Sequence, residues 1–239
     1  MSFVQSEIDT PELVVAKFGG TSVADYASMS RCADIVLANQ ATRLVVVSAS
    51  SGVTNLLVEL TQANVNDERR LVLLKQIAQI QYAILDELGR PQDVAASIDK
   101  ILSRMSVLSE SLELNRSKAV MDELLSTGEQ CSSILFSAVI REKGTASNHF
   151  DVRQVLRTDS HFGRAEPQIE AISMLAGDFL QPLLARYVIV TQGFIGADEE
   201  GRTTTLGRGG SDYSAALLAE ALRATAVEIW TDVAGIYTT

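Results

Sequence analysis

Short, continuously apolar segments recur along this 239-residue chain, and helical sequence separates them. Continuous apolar runs are typical of parallel strands that helices cover on both faces. The alternation therefore predicts an α/β fold, a three-layer sandwich with a mainly parallel central sheet. The predicted strands are 13–17, 43–48, 147–151, 187–192, 194–196 with 203–206, and 227–231.

The stretch from about residue 66 to 145 carries no strand signal and predicts a helical insertion in the α/β core. Three helices are expected there, near 67–88, 91–115 and 117–143. The first helix of the core is expected at 22–39, and residues 198–201 are predicted to form a hairpin turn. Trp230, the only tryptophan, is predicted to lie in the core.

The charge and composition of the chain bear on its partners and on its location in the cell. The formal net charge of −10 argues against a nucleic-acid or anionic membrane surface. The first residues lack a basic region followed by an apolar stretch, and no run approaches 18 apolar residues, so neither a signal peptide nor a membrane span is expected. Two cysteines form no disulfide framework, which favours a cytoplasmic location.

A glycine-rich turn follows the first predicted strand, with the sequence KFGGTS at residues 17–22. Gly19 and Gly20 allow a ligand to approach the backbone closely. The start of a helix presents unpaired N–H groups that favour an anion, and Lys17 adds a positive point charge. A phosphate site is one interpretation, and a tight turn with a surface lysine is the other.

A second glycine-rich turn, GRGGSD at residues 207–212, precedes an amphipathic helix. Arg208 offers a planar guanidinium that matches a carboxylate or a phosphate, and Ser211 or Asp212 can cap the helix. Two such turns, one with Lys and one with Arg, predict two anionic groups in one cleft. The chain contains neither a Walker A motif nor a strand-linked GxGxxG, so the site differs from P-loop and dinucleotide folds.

Three further polar residues have two interpretations each on sequence alone. Ser48 and Thr54 follow a predicted strand at the edge where α/β sheets bind ligands, but they also suit turns or helix caps. Glu129 lies inside the third insertion helix beside Gly128, and a glycine within a helix costs about 1 kcal/mol relative to alanine. Something is therefore expected to approach the helix closely at Gly128.

Six blocks of sequence carry a resemblance to a known family. They are KFGGTSV (17–23), VSAS (47–50), FGRAEP (162–167), QGFIG (192–196), TTTLGRGGSDY (203–213) and WTDVAGIYTT (230–239). In this order they resemble the aspartokinases of the amino-acid kinase family along nearly the whole chain. The FGRAEP block is most similar to the monofunctional, lysine-sensitive aspartokinases.

The resemblance implies a biosynthetic reaction. The chain is expected to be an aspartokinase catalytic domain that transfers the γ-phosphoryl of ATP, with Mg²⁺, to the side-chain carboxylate of L-aspartate. The product would be 4-phospho-L-aspartate, which is the first step towards lysine, threonine and methionine. The full-length protein is expected to be an allosteric homo-oligomer.

The resemblance also implies roles for individual residues. The catalytic pair is Lys17 and Asp212, with Asp212 organising Lys17 and the transferring phosphate. The implied nucleotide contacts are Lys17, Phe18, Gly19, Gly20, Thr231, Asp232 and Tyr237. The implied substrate contacts are Ser48, Thr54, Glu129, Arg208, Gly209, Gly210 and Ser211. No side chain is assigned as a metal ligand.

Two other functions stay open at this point. A kinase of another small carboxylate, such as N-acetylglutamate, would need no anion at Glu129, because an acylated amine carries no charge. A non-catalytic amino-acid or nucleotide sensor would not need Lys17, Arg208 and Asp212 together.

In the family the last block continues into Asp-Pro-Arg and, further on, into regulatory ACT domains, none of which occurs in these 239 residues. We therefore expect one wall of the ATP pocket to be missing, with weak ATP binding, low turnover and no inhibition by lysine.

Overall fold

A computed structural model describes residues 12–231. Its central sheet has five strands, all parallel to their neighbours, as the apolar runs predict. In spatial order they are β3 (Ser147–Phe150), β4 (Val188–Gln192), β2 (Thr42–Val47), β1 (Val14–Phe18) and β7 (Ala226–Trp230). The strands β5 (Ile195–Ala197) and β6 (Thr203–Thr205) form the predicted antiparallel hairpin.

Helices cover both faces of the sheet. They are α1 (Tyr26–Ala38), α2 (Val53–Leu60), α3 (Asp67–Glu87), α4 (Gln92–Leu114), α5 (Lys118–Glu142), α6 (Ile169–Leu175), α7 (Gln181–Leu184) and α8 (Gly210–Ala221). The helices α3, α4 and α5 occupy the stretch in which the sequence shows no strand signal. Within residues 12–231, no helix combines the length and the apolar composition that a membrane crossing requires.

Side chains along the strands alternate between two hydrophobic layers, as the pleat of a strand requires. Ala16 and Phe18 of β1 pack with α1, α3, α4 and α5. Val15 of the same strand packs with α6, α7 and α8 on the opposite face. Lys17 is two residues from Val15, so this alternation directs its side chain to the face that α8 covers.

The helix α5 joins the sheet to the insertion. Its residues Leu135, Phe136 and Val139 pack on the sheet, whereas Leu124 belongs to a separate cluster with α2, α3 and α4. The same helix therefore belongs to both parts of the core, and it places Glu129 between them.

The sequence prediction is wrong in a few places. The first helix starts at Tyr26 rather than residue 22, because the Asp25 side chain accepts a hydrogen bond from Ser28 N and caps it, and Gly20–Val23 form a separate 3₁₀ turn. The helices α2, α6 and α7 were not predicted. Trp230 is 37% exposed on the edge strand β7 rather than buried in the core.

Candidate functional site

A cavity of about 280 Å³ opens where β1, β2 and β4 end and α8 begins. It brings together nine residues that the sequence selects from widely separated segments. They are Lys17, Ser48, Thr54, Glu129, Arg208, Gly209, Gly210, Ser211 and Asp212; Phe194 and Gly207 complete the lining. Strand ends at a sheet edge are the usual ligand position in open α/β folds.

Lys17 and Asp212 form an ion pair across this cavity, with 2.7 Å between Lys17 Nζ and Asp212 Oδ1. The lysine side chain is 10% exposed and the aspartate side chain 49% exposed. The direction of Lys17 follows from the alternation along β1, and Asp212 lies in the first turn of α8. The pair leaves a positive group at the floor of the cavity with its carboxylate partner open to solvent.

The cap predicted for α8 is wrong. Neither Ser211 nor Asp212 caps the helix; Gly209 is the N-cap residue, with φ +75° and no side-chain bond. The backbone carbonyl of Gly209 accepts hydrogen bonds from Asp212 N and Tyr213 N. Asp212 is thus available to Lys17, because the glycine turn starts the helix without a side-chain cap.

Glu129 is a buried carboxylate with no cationic partner among residues 12–231. Its Oε1 accepts a hydrogen bond from Ala49 N at 3.1 Å. Burial raises the pKa of Glu129 to about 7, and the hydrogen bond from Ala49 offsets this only in part. A carboxylate in such a position is stabilised by a ligand that brings a positive charge.

The close approach expected at Gly128 is present. A Cβ built on Gly128 would lie 2.8 Å from Ala49 Cβ and 3.1 Å from Leu57 Cδ1. Real Cβ atoms essentially never approach to 2.8 Å, so the missing side chain lets α5 pack directly against the segment that follows β2. The carboxylate of Glu129 reaches Ala49 because of this contact.

Arg208 stands at the exposed end of the second glycine turn. Both flanking glycines have left-handed backbone, with φ +77° at Gly207 and +75° at Gly209. Within residues 12–231 its guanidinium makes no hydrogen bond or ion pair. It therefore faces the cavity as an unpaired cation that can bind a carboxylate or a phosphate.

Ser48 and Thr54 lie on the segment that Glu129 contacts. Ser48 follows β2, donates its backbone N–H to Phe18 O, and accepts a hydrogen bond from Ser132 Oγ of α5 at its own carbonyl. Thr54 is the second residue of α2 and is exposed at the cavity, after Gly52 with φ +82°. Both hydroxyl groups line the same cavity as Glu129 and Arg208.

The residues expected to contact a nucleotide differ in burial and in distance from the cavity. Gly19 and Gly20 are not among the lining residues of the cavity; a Cβ on Gly19 would lie 3.7 Å from Lys17 Nζ, and Gly19 N donates to Trp230 O. The Phe18 side chain is fully buried against Phe136 and Trp230, so only its backbone can contact a ligand. Thr231 is exposed at the end of β7. Asp232 and Tyr237 lie outside the described residues.

One lining residue was not selected from the sequence. Phe194 has a left-handed backbone with φ +71°, an uncommon state for a bulky side chain. Its N–H donates to Ser214 Oγ and its carbonyl accepts from Leu206 N, which holds it between β4 and α8. A signal was available, because Phe194 follows Gly193 at the end of a buried strand.

Resident metal ligands are not evident in the part of the chain that the structure describes, where no group of three His, Cys, Asp or Glu side chains meets. Mg²⁺ in kinase sites is held by one or two carboxylates and by substrate phosphates. The half-exposed carboxylate of Asp212 fits that limited role.

This arrangement is accompanied by a direct family match. The model of the amino acid kinase family matches residues 12–239, and the chain belongs to that family. It is 53% identical over 228 residues to the lysine-sensitive aspartokinase 3 of Escherichia coli, an alignment that covers 95% of this chain and 51% of that protein. It is 36% identical over 226 residues to an aspartokinase of Chlamydia pneumoniae, covering 94% of this chain and 48% of that protein.

Solved structures of aspartate kinases share the fold of this chain. The fold superposes on E. coli aspartokinase III in complex with aspartate and ADP with a TM-score of 0.92, over 95% of this chain and 51% of that one. An aspartate kinase of Clostridium acetobutylicum, at 22% identity and a TM-score of 0.72, shares the fold over 94% of this chain and 48% of its own. The chain spans about half the length of the curated relatives it matches.

Proposed function

We propose that this chain catalyses the aspartokinase reaction, the transfer of the γ-phosphoryl of ATP to the side-chain carboxylate of L-aspartate. The observation that carries the proposal is the meeting of four ionisable side chains in one cavity: the Lys17–Asp212 pair, the unpaired Arg208 and the buried Glu129. The relationship to E. coli aspartokinase III, whose structure holds aspartate and ADP, supports the choice of substrates.

The two charged ends of an amino acid match two groups of the cavity. Glu129 would bind the α-ammonium, which supplies the cation that a buried carboxylate lacks. Arg208 would bind the α-carboxylate through its planar guanidinium. With both α-groups held, the side-chain carboxylate is directed to the part of the cavity that contains Lys17, and Ser48 and Thr54 would contact the substrate near that end.

The chemical step requires no general base, because the acceptor carboxylate is already ionised at neutral pH. One of its oxygens forms a bond to the γ-phosphorus while the bond from that phosphorus to the bridging oxygen of ADP breaks. The products are an acyl phosphate and ADP, and no proton moves. Catalysis then consists of positioning and of neutralising charge.

Lys17 would provide this charge neutralisation from the protein side, together with the backbone N–H of Gly20, since the N–H of Gly19 donates to Trp230 O. Asp212 keeps the Lys17 ammonium in one position, at 2.7 Å. Mg²⁺ carried by the nucleotide would add positive charge on the phosphates, and Asp212 would be the carboxylate that contacts it. These groups together offset the repulsion between a carboxylate and a polyphosphate.

The same assay separates this reaction from the two alternatives. Purified protein is incubated with Mg²⁺ and ATP and with L-aspartate, N-acetyl-L-aspartate or N-acetyl-L-glutamate, and ADP release is followed. Hydroxylamine trapping of the acyl phosphate distinguishes carboxyl transfer from ATP hydrolysis. We expect activity with L-aspartate only. Equal activity with an N-acetylated acceptor would contradict the role of Glu129, and no trapped product with any acceptor would favour a sensor.

A further inference from the structure

We infer that Asp122 is a positioning residue for the bound amino acid: it fixes the turn that carries Arg208 at a set distance from Glu129. The inference rests on the proposed function, because it concerns how the same site holds aspartate. Asp122 itself does not line the cavity.

Asp122 is a buried carboxylate in the second turn of α5, with 2% of its surface exposed. Its Oδ2 accepts two backbone hydrogen bonds, from Gly163 N and from Thr205 N, each at 2.8 Å. Within residues 12–231 it forms no ion pair. Burial raises its pKa, and the two N–H donors offset part of that rise. A buried carboxyl group therefore holds two backbone segments together.

Both segments adjoin the turn that carries Arg208, one in the chain and the other in space. Thr205 ends β6, and Arg208 follows three residues later. Gly163 belongs to a loop that packs under the same turn: its carbonyl lies 3.4 Å from where a Cβ of Gly207 would be. The loop is also tied to β6 by the hydrogen bond from Ala165 N to Thr205 O. Asp122 thus fixes the start of the Arg208 turn on two sides.

The helix α5 sets the distance between Asp122 and Glu129. Asp122 and Glu129 are seven residues apart, which places them on one face of the helix at about 10 Å along its axis. The helix α5 therefore carries Glu129, the proposed contact of the α-ammonium group. Through Asp122 it also holds the turn of Arg208, the proposed contact of the α-carboxylate. If the hydrogen bonds of Asp122 are lost, Arg208 moves relative to Glu129, and the two ends of the amino acid are no longer bound together.

The test is steady-state kinetics on the chain with Asp122→Ala, compared with Asp198→Ala as a matched control. Asp198 is also a buried carboxylate that binds backbone N–H groups of the β5–β6 hairpin, but at its far end. Misplacement of a contact group by about 1 Å costs up to about 100-fold. We expect Asp122→Ala to raise the KM for aspartate about 10- to 100-fold, with the KM for ATP changed less than about twofold.

Two further variants keep the test decisive. Asp122→Asn retains an acceptor oxygen and should restore the KM for aspartate to within about threefold of the wild type. Asp122→Glu keeps the charge but displaces the oxygen, and it replaces the alanine variant if that does not fold. Asp198→Ala should lower the melting temperature and leave the KM for aspartate within about twofold.

The inference is overturned if Asp122→Ala and Asp122→Glu both keep the wild-type KM for aspartate, if both substrates lose affinity equally, or if Asp198→Ala raises the KM for aspartate as much as the Asp122 variants do. Wild-type protein that does not phosphorylate aspartate would overturn the proposed function and this inference together. Normal wild-type activity with any of the first three results would overturn the inference alone.

Discussion

The two glycine-rich turns of the cavity look alike in sequence and use glycine for different physical reasons. At the first turn, a Cβ on Gly20 would lie 2.9 Å from Ala49 O, and the backbone of Gly19 and Gly20 has no positive φ. At the second, a Cβ on Gly209 would meet nothing within 4 Å, but φ is +75°. Gly20 of the first turn needs space, whereas Gly209 of the second needs a left-handed backbone; the second turn needs space only at Gly210, whose Cβ would lie 2.9 Å from Phe194 Cδ2.

The charged residues of the two turns also differ, in their exposure and in their pairing. Lys17 lies within a central strand and has one fixed partner, Asp212. Arg208 is exposed between two left-handed glycines. A buried, paired cation is suited to a phosphoryl group whose position must not vary, and an exposed arginine is suited to a substrate that enters and leaves. The following predictions test this division, from the largest expected effect to the smallest.

Lys17→Ala should abolish most turnover and leave the fold intact, because a preorganised cation is lost from the transition state. Loss of such a group costs about 3–4 kcal/mol, or roughly 10²- to 10³-fold in kcat. Single-turnover ADP release with saturating substrates measures the effect, and circular dichroism checks the fold. Near-normal kcat in the folded variant would show that the first turn is not the phosphoryl site.

Arg208→Lys should raise the KM for aspartate about tenfold, because a point charge replaces a two-pronged hydrogen-bond donor. The KM for ATP should stay nearly unchanged. Initial rates with each substrate varied in turn measure both constants. The opposite pattern would move Arg208 to the nucleotide side and remove the difference between the two turns.

Glu129 lines the same cavity as the two charged residues of the turns. Its pKa predicts that the KM for aspartate depends on pH and that the KM for ATP does not. With its pKa near 7 in the free protein, it is mostly protonated at pH 6 and mostly ionised at pH 8. Only the ionised form pairs with an ammonium group, so the KM for aspartate should rise about tenfold from pH 8 to pH 6.

Kinetics at fixed ionic strength test this dependence, with Glu129→Gln as the matched control. The glutamine variant should have a high KM for aspartate that does not change with pH, and the KM for ATP should be nearly flat in both proteins. A flat aspartate profile in the wild type would mean that Glu129 does not bind the ammonium group.

The last predictions concern the glycines themselves, whose substitution is expected to change the free energy of unfolding and to affect the kinetics least. Gly209→Ala should destabilise the fold by about 1–2 kcal/mol through its left-handed backbone, and Gly209→Asn should restore most of this, because asparagine tolerates such a backbone. Gly20→Ala should cost about 1–3 kcal/mol through overpacking against Ala49, and Gly20→Asn should be no better. Urea unfolding measures all four. Recovery with asparagine at both sites would contradict the proposed difference.

Much of the fold could be predicted because its physical signal is local. Strands buried on both faces are continuously apolar, so all five strands of the central sheet were found, with their ends one residue off at most. The position of α1 was wrong at its start because a side-chain contact, from Asp25 to Ser28 N, decides where the helix begins.

The site was predictable where glycine marks a turn and less so elsewhere. The preference of Ser and Asp for helix caps predicted a cap at Ser211 or Asp212, but a tertiary contact with Lys17 engages Asp212 instead. Phe194 is easily interpreted as a core phenylalanine, and only its position after Gly193 at the end of a buried strand indicates the site. Asp122 has no such signal, because a carboxylate early in an amphipathic helix is usually solvated; only the distant Thr205 reveals why it is buried.

The hydrogen bonds that α5 makes to its neighbours have a consequence for the order in which the molecule folds. Ala49 and Glu129 are 80 residues apart in the chain, and Asp122 and Thr205 are 83 apart. Contacts that close such long loops form late, since the loop entropy is lost before the contact contributes. We therefore expect the insertion helices, whose contacts are local, to form before the cavity exists, whereas the sheet, which pairs Val14 with Ala226, closes a still longer loop and completes no earlier than the cavity.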